Sequence, residues 1–591
     1  MADDRPAESP HEPLPDQDPA QDLGRSQPLV PEASDVVDAE GGPQPRRQSL
    51  GGATAVMASG TFVSRGLGFV RTALLSAAIG VNAFGADAYD VANRIPNALY
   101  AILAAGVFNA VLVPQIVKAF RRPDGKRTVD RIVTLVLAIS LAITALCTAA
   151  APFVVRLYSS ADWSAEQRAL ATSFAFLVIP QLFFYAAYTI LGEVLNARGQ
   201  FGPYMWAPAL NNVIAIVGLV VYLVLYGEYR AGADTAAGWT TDKILWLAIP
   251  ATLAMAAQAL ILLWPLLKGG YRPRMVWRGP KGELTTVRVV AGWALGAVLV
   301  EQVGVTLAVR VASAANPGGA DPAIAGNAAY FYALMIYLVP HSLVTVSLLT
   351  ALNTTMAQHW AAGDVDAARD DVARGLRITA TFTSFATAAL IVLSPMLVRV
   401  ALPTAQVDTV ASVAWVLIGL SLGMVPLGAM VLVKRAFFVL EDARGIFFIH
   451  IPMTITWIAV AYAGMALLTE QWWTMGVALG LSLSNVVGLI LRAGGLKRRL
   501  GGLGGRAVAR VHWLSAAAAL ITGLVGITLR VTVMPDLDEV SRSPILLGGL
   551  QCAIVGTVMA VVYVLLMRLF RVQEVGAVVN TVTRRLRRNV R

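Results

Sequence analysis

The chain has 591 residues, of which 57% are hydrophobic and only 14% charged, and its mean hydropathy is +0.64. A soluble protein of this size needs a charged skin that such a composition cannot supply, so a water-soluble globular fold is excluded. The net charge of +11 hides a division: residues 1–50 hold eleven acidic and four basic groups, which leaves +18 for the remainder.

Residues 1–52 are rich in Pro, Asp, Glu, Gln and Ser, with almost no aromatics, and read as a disordered acidic tail. The acidic start, without an apolar run, is unlike a signal peptide. Beyond it, apolar runs long enough to cross a bilayer as helices recur to the far end. Short alternating segments of the β-barrel kind are missing. The expected spans are 53–80, 88–118, 131–157, 169–196, 204–226, 243–267, 287–314, 325–357, 375–401, 408–440, 445–468, 472–496, 511–534 and 543–570. The fold class is therefore an all-α polytopic membrane protein of about fourteen transmembrane helices.

Charge sets the orientation. Three even-numbered loops are basic: the first holds Lys118, Arg121, Arg122, Lys126, Arg127 and Arg131, the second Lys268, Arg272, Arg274, Arg278, Lys281 and Arg288, and the third Arg492, Lys497, Arg498, Arg499, Arg506 and Arg510. A basic tail, 571–591, adds Arg584, Arg585, Arg587, Arg588 and Arg591. The odd-numbered loops are nearly free of Lys and Arg, so both termini are expected in the cytoplasm, in the cytoplasmic (inner) membrane. The same bias accounts for the basic remainder, and no nucleic-acid partner is implied.

Several polar groups fall inside spans, where an ionisable side chain needs a cavity or a partner. The first span holds Arg65 and Arg71, two long side chains able to reach one cavity. Asp87 and Asp90 open the second, followed by Asn93, Arg94 and Asn97. Arg94 can pair with Asp90 at i, i+4, a structural ion pair, or face a ligand. The seventh span holds Glu301 and Arg310, too far apart to pair directly. Lys434 and Arg435 end the tenth, where snorkelling to the interface is the simpler reading. Pro96, Pro208 and Pro340 bend their helices, as static kinks or as points of movement. A cluster of arginines in the first half suits an anionic, phosphate-bearing substrate.

Cys147 and Cys552 sit in apolar spans as packing residues, and the five histidines lack metal-ligand spacing. No metal or cofactor is expected. Nothing resembles a phosphate-binding loop or a catalytic triad, so an enzyme is not expected either.

Residues 59–114, SGTFVSRGLGFVRTALLSAAIGVNAFGADAYDVANRIPNALYAILAAGVFNAVLVP, carry SR-x-x-GF-x-R, then AD-x-Y-x-x-A-x-x-IPN, then G-x-F-x-x-x-L-VP. This stretch resembles the opening of the MurJ (MviN) lipid II flippase family. Residues 195–213, 330–352 and 434–448 resemble further parts of that family. The resemblance covers about residues 53–570. It implies the fold of the multidrug/oligosaccharidyl-lipid/polysaccharide superfamily: two six-helix lobes around a central cavity, 53–267 and 268–496, with two more helices, 497–570, beside a hydrophobic groove. It implies transport of lipid II, the undecaprenyl-pyrophosphate-linked peptidoglycan precursor, across the membrane by alternating access. Arg65 and Arg71 match the family's head-group arginines, Asp87 its aspartate at the start of the second helix, and Asn97 its residue after the proline. The chain departs from the pattern at Tyr100, Ala105, Met335 and Leu338, where many members carry charges. Arg94 and Arg310 are the candidates to replace those cations, so the substrate-binding set is Arg65, Arg71, Arg94, Asn97 and Arg310, with Asp87 and Glu301 as gating residues. Lipid II, membrane lipids and cell-wall synthesis or division proteins are the implied partners. Export of another polyprenyl-linked glycan, cation-coupled drug antiport and a non-transporting scaffold for cell-wall synthesis remain as alternatives.

Overall fold

A backbone that crosses lipid must satisfy its own N–H and C=O groups, and this chain does so as helix. The computed structural model describes residues 50–103, 125–230, 234–277, 285–319, 321–342, 355–356, 358–360, 362–439, 443–533 and 545–574, and no strand occurs among them. Eleven helices among these residues are long and apolar enough to cross a membrane, or twelve if one pair bent by 47° is a single span. The expected spans 88–118 and 325–357 run outside the described residues; their described parts are helical. The two expected tails, and Lys118, Arg121, Arg122, Arg278, Lys281 and Arg542, lie almost wholly outside them.

The first set of helices is α1 (Leu50–Ile79), α2 (Phe84–Leu103), α3 (Gly125–Ala149), α4 (Ala151–Tyr158), α5 (Ala165–Val178), α6 (Gln181–Ala197), α7 (Phe201–Tyr226), α8 (Thr241–Leu260) and α9 (Leu263–Lys268). The second is α10 (Thr285–Ala315), α11 (Asn327–Pro340), α12 (Val365–Ala401), α13 (Val407–Ser421), α14 (Met424–Val439), α15 (Ala443–Leu467) and α16 (Trp473–Leu500), followed by α17 (Gly505–Val533) and α18 (Ile545–Leu569). Packing repeats between the sets: α1 lies on α7 and α7 on α8, as α10 lies on α15 and α15 on α16. Helices α17 and α18 pack on each other and on α12. Large apolar side chains such as Phe62, Phe153, Val224, Trp264, Trp513 and Leu569 point outward, as a lipid-facing surface requires.

Local chemistry sets several ends. Ser164 caps α5 by accepting from the Gln167 N–H at 3.1 Å, and Asp364 caps α12 by accepting from the Ala367 N–H at 2.9 Å. The break between α13 and α14 falls at Leu422–Gly423, just before Pro426, which cannot donate a helix hydrogen bond. The expected single span 408–440 is therefore two bent segments.

The cores tell how the lobes meet. At the end carrying loops 80–83, 159–164 and 316–326, one apolar core joins both lobes, bringing Tyr89, Ile95 and Phe174 together with Val309, Tyr332 and Leu417. At the opposite, basic-loop end the cores are separate. One surrounds Val129, Ile190 and Tyr271, and another Ala297, Phe437 and Leu496. Among the described residues the lobes are thus sealed together at one end and parted at the other. The seal is close-fitting: Gly319, at φ +66°, lies so near Ala83 that an added Cβ would stand 2.5 Å from its Cα. Gly199, at φ +72°, has open space around it. Gly319→Ala should therefore destabilise by about 1–3 kcal/mol more than Gly199→Ala, which bears the backbone strain alone. Thermal unfolding of the purified variants measures the difference, and equal losses would show that the seal is not rigid there.

Candidate functional site: the cavity between the lobes

Asparagines and small polar groups let α1, itself carrying two arginines, lie against α7. Asn212 Nδ2 donates to the Ser64 carbonyl at 2.8 Å. Arg71 Nη1 donates to Asn211 Oδ1 at 3.3 Å. The Arg71 guanidinium also lies close enough to Tyr89 and Tyr185 to act on both hydroxyls. Tyr185 in turn interacts with Asn97 and stacks at 5.3 Å on Tyr100, whose hydroxyl bonds Thr189. Arg65 points the other way and donates to Ser342, just past α11. The structure therefore gives the two arginines partners in different lobes, and both partners are neutral.

The carboxylates of α2 make a second cluster, nearer the sealed end. Asp87 is completely buried and accepts the Ala328 N–H at 2.9 Å, in the first turn of α11. Gly326 makes room for it, since a Cβ there would stand 2.6 Å from Oδ2. A carboxylate on a helix N-terminus satisfies an otherwise orphaned donor and meets the positive end of the helix dipole. Asp90 accepts from Arg94 Nε at 2.7 Å and from Asn327 Nδ2 at 2.6 Å. Arg94 is thus tied to Asp90, as its i, i+4 spacing predicts, and lies over the Phe331 and Tyr330 rings. Asn82 extends the contact, donating to the Pro322 carbonyl at 2.8 Å and to Ser412 Oγ at 3.0 Å. Asp87, expected as a gating residue, meets the backbone of α11.

Above this cluster residues 234–240 cover the start of α2. Asp234 accepts from Trp239 Nε1 at 2.8 Å and from the Gly85 N–H at 3.3 Å. Burial pushes its carboxyl above the usual range, against those hydrogen bonds.

The α10 residues stand apart from both clusters and from each other. Arg310 is half-buried and makes no hydrogen bond or ion pair with a described residue. Glu301 is exposed, and its field reaches Lys434 and Arg492, not Arg310. Two further readings are corrected. Arg492 is not in a loop: α16 continues to Leu500, so Arg492 lies two turns inside it with no exposed surface. Lys434 does not snorkel outward but sits largely enclosed among α14, α15 and α16. Sequence reasoning also passed over Asn211, Asn327 and Ser342. The Asn-Asn pair inside an apolar run was a readable signal; Asn327 and Ser342 lie at helix ends and had none.

A family model described as lipid II flippase MurJ matches residues 75–547. The chain belongs to the MurJ family. A probable lipid II flippase MurJ of Rhizobium meliloti (strain 1021) is 25% identical over 423 residues, spanning 69% of this chain and 72% of that one. The lipid II flippase MurJ of Burkholderia cenocepacia is 34% identical over 166 residues, 27% of this chain and 32% of its own. A solved lipid II flippase MurJ in an inward closed conformation shares the fold with a TM-score of 0.63 at 17% identity, covering 86% of this chain and 98% of that one. A MOP superfamily transporter from Pyrococcus furiosus also shares the fold, with a TM-score of 0.55 at 16% identity over 76% of this chain and 95% of its own. The family is one of transporters, and the chain is a multi-pass membrane protein built on its fold.

The Asp87 contact makes a measurable claim. Asp87→Ala leaves the Ala328 N–H without its acceptor and should weaken the seal by about 1–3 kcal/mol. A cysteine at position 97 should then react faster with a maleimide added from the sealed side. An unchanged rate would mean that Asp87 does not hold the lobes together.

Proposed function

We propose that this chain carries lipid II across the cytoplasmic membrane by alternating access, with the pyrophosphate held in the cavity between the lobes. One observation carries the reading. Arg65 and Arg71 lie inside a membrane helix and, among the described residues, hydrogen-bond the neutral groups of Ser342, Asn211 and Tyr89, so no described carboxylate compensates their charge. Arg310, on α10 of the second lobe, stands apart from these two and makes no hydrogen bond or ion pair with a described residue. A pyrophosphate brings at least two negative charges and several acceptors, and guanidinium groups meet phosphate oxygens two at a time. Asn97 and the Tyr89–Tyr185 pair supply neutral donors beside it. Arg94 already has a carboxylate, so its role is to hold the seal and not the substrate.

The sealed end is the external one in this reading, with both termini, and the acidic and basic tails, in the cytoplasm. The cavity is then open to the leaflet where the precursor is made. Asp87 and Asp90 latch the exit by holding α11, and Glu301 acts within the second lobe. Residues 53–267 and 268–496 rock against each other. The polyprenyl tail lies in the groove between α12 and α18, a cavity of about 640 Å³ walled by Phe385, Ala389, Cys552, Gly556, Val561 and Leu565. An apolar tail stays in such a wall while only the head group crosses the cavity.

Loss of one charge-assisted contact to phosphate costs roughly 1.5–3 kcal/mol. Arg71→Ala should reach normal levels in the membrane yet fail to sustain a cell depleted of its own flippase. Arg71→Lys should rescue in part, keeping the charge but losing the fork. Full growth with normal lipid II appearance at the outer leaflet in Arg71→Ala cells would remove the proposed site. For orientation, a cysteine at Thr235 should label from outside intact cells and one at Arg274 should not; the reverse pattern would invert the topology.

A further inference from the structure

Arg492 raises a question that the cavity does not answer. Its guanidinium has no exposed surface, and Nε, Nη1 and Nη2 all lack a hydrogen-bond partner among the described residues. The turns on either side of it are walled by apolar groups: Met430 and Met453 pack on Gly488, and Phe437 on Gly495. Three other helices each bring one titratable group near. Glu301 of α10 acts on Arg492, Lys434 of α14 is acted on by both, and His450 of α15 lies in the field of Lys434 and Arg492. His450 is itself buried, with Nδ1 unpartnered. Beside Lys434, Arg435 is exposed, and so is Glu301, which marks the open side of the cluster.

We propose that Arg492 and Lys434 form a second anion site, inside the second lobe and separate from the α1 arginines, for a phosphate-class oxyanion of single negative charge. The charges favour an anion: Lys434, Arg435 and Arg492 outnumber the Glu301 carboxylate, and a phosphodiester or a monobasic phosphate offsets part of the excess. The geometry agrees, because a guanidinium offers its N–H groups in a fork that phosphate oxygens match, and an ammonium adds a point charge beside it. The route agrees as well. Arg492 is eight residues before Leu500, about 12 Å from the helix end, and that end carries Lys497, Arg498 and Arg499. A head group at this membrane face, or free phosphate from the water beyond it, meets those three cations first.

The test uses the purified, delipidated full chain, with thermal unfolding followed while one of two probes is added. Inorganic phosphate represents the free anion, and a short-chain phosphatidylglycerol represents the lipid head group. One of the two should raise the unfolding midpoint saturably, and which one does identifies the source. Arg492→Met should weaken that binding on the order of tenfold or more, the scale of a lost charge-assisted contact. Glu301→Gln should tighten it, since a like charge beside the anion is removed. Should Arg492→Met fail to fold, Lys434→Met and Glu301→Gln carry the test. No stabilisation by either probe, equal binding by Arg492→Met, or weaker binding by Glu301→Gln would each overturn the proposal.

Discussion

The buried carboxylate of Asp87 on the first turn of α11 is the contact around which the two lobes are arranged. It joins residues 241 positions apart, and it uses a donor that every helix start has to spare. Asp90, Arg94 and Asn327 continue the same interface with a second set of bonds. Between them they hold α11 in place by its end, and the continuous core around Tyr89, Tyr332 and Leu417 follows from that placement. A bond to a helix terminus constrains position without interlocking side chains along the helix. Such a joint can separate cleanly, which a transporter that opens at this end requires.

Charge is handled differently one and two turns deeper. The acids of α2 hold the lobes, Asp87 through one oxygen on backbone and Asp90 through Arg94 and Asn327. Among the described residues the arginines of α1 are engaged by an amide and by hydroxyls, not by a carboxylate. The first half of the chain therefore spends its carboxylates on the seal and leaves its guanidiniums for a ligand. Had Asp87 or Asp90 paired with Arg65 or Arg71, the cavity would be neutral and the seal would lack its carboxylates. The separation depends on Arg94, which neutralises Asp90 within α2 and so isolates the acidic end from the basic cavity.

Much of this fold was legible because length and apolarity decide whether a helix crosses a membrane, and neither needs a partner. The Arg94–Asp90 pair was legible for a similar reason, since i, i+4 neighbours meet on any helix. Asp87 was recognisable as a buried acid, but its partner is a backbone N–H, and backbone has no letter in the sequence. Arg492 was misjudged because it precedes Lys497, Arg498 and Arg499, and a run of cations looks like the end of a span. Gly488 and Gly495 pack against Met453 and Phe437, which places Arg492 between close helix contacts on one face. The bend at Gly423 was missed because the flanking segments are both apolar and together have the length of one long span.

Pro96 links the two regions of α2. It lies between Arg94, which faces the seal, and Asn97, which faces the cavity, and it leaves the Ala92 carbonyl without its helical donor. The segment before it is fixed to α11 by Asp87, Asp90 and Arg94. The segment after it meets Tyr185 and Thr189 of α6 through Asn97 and Tyr100. A helix clamped to one lobe at its start and to the other beyond a missing hydrogen bond has one natural place to flex. On the proposed placement of the head group against Asn97 and Arg71, its movement would bend α2 at that point, and the bend would pull on the carboxylates bonded to α11. The proline thus lies where occupancy of the cavity and release of the seal can act on the same helix.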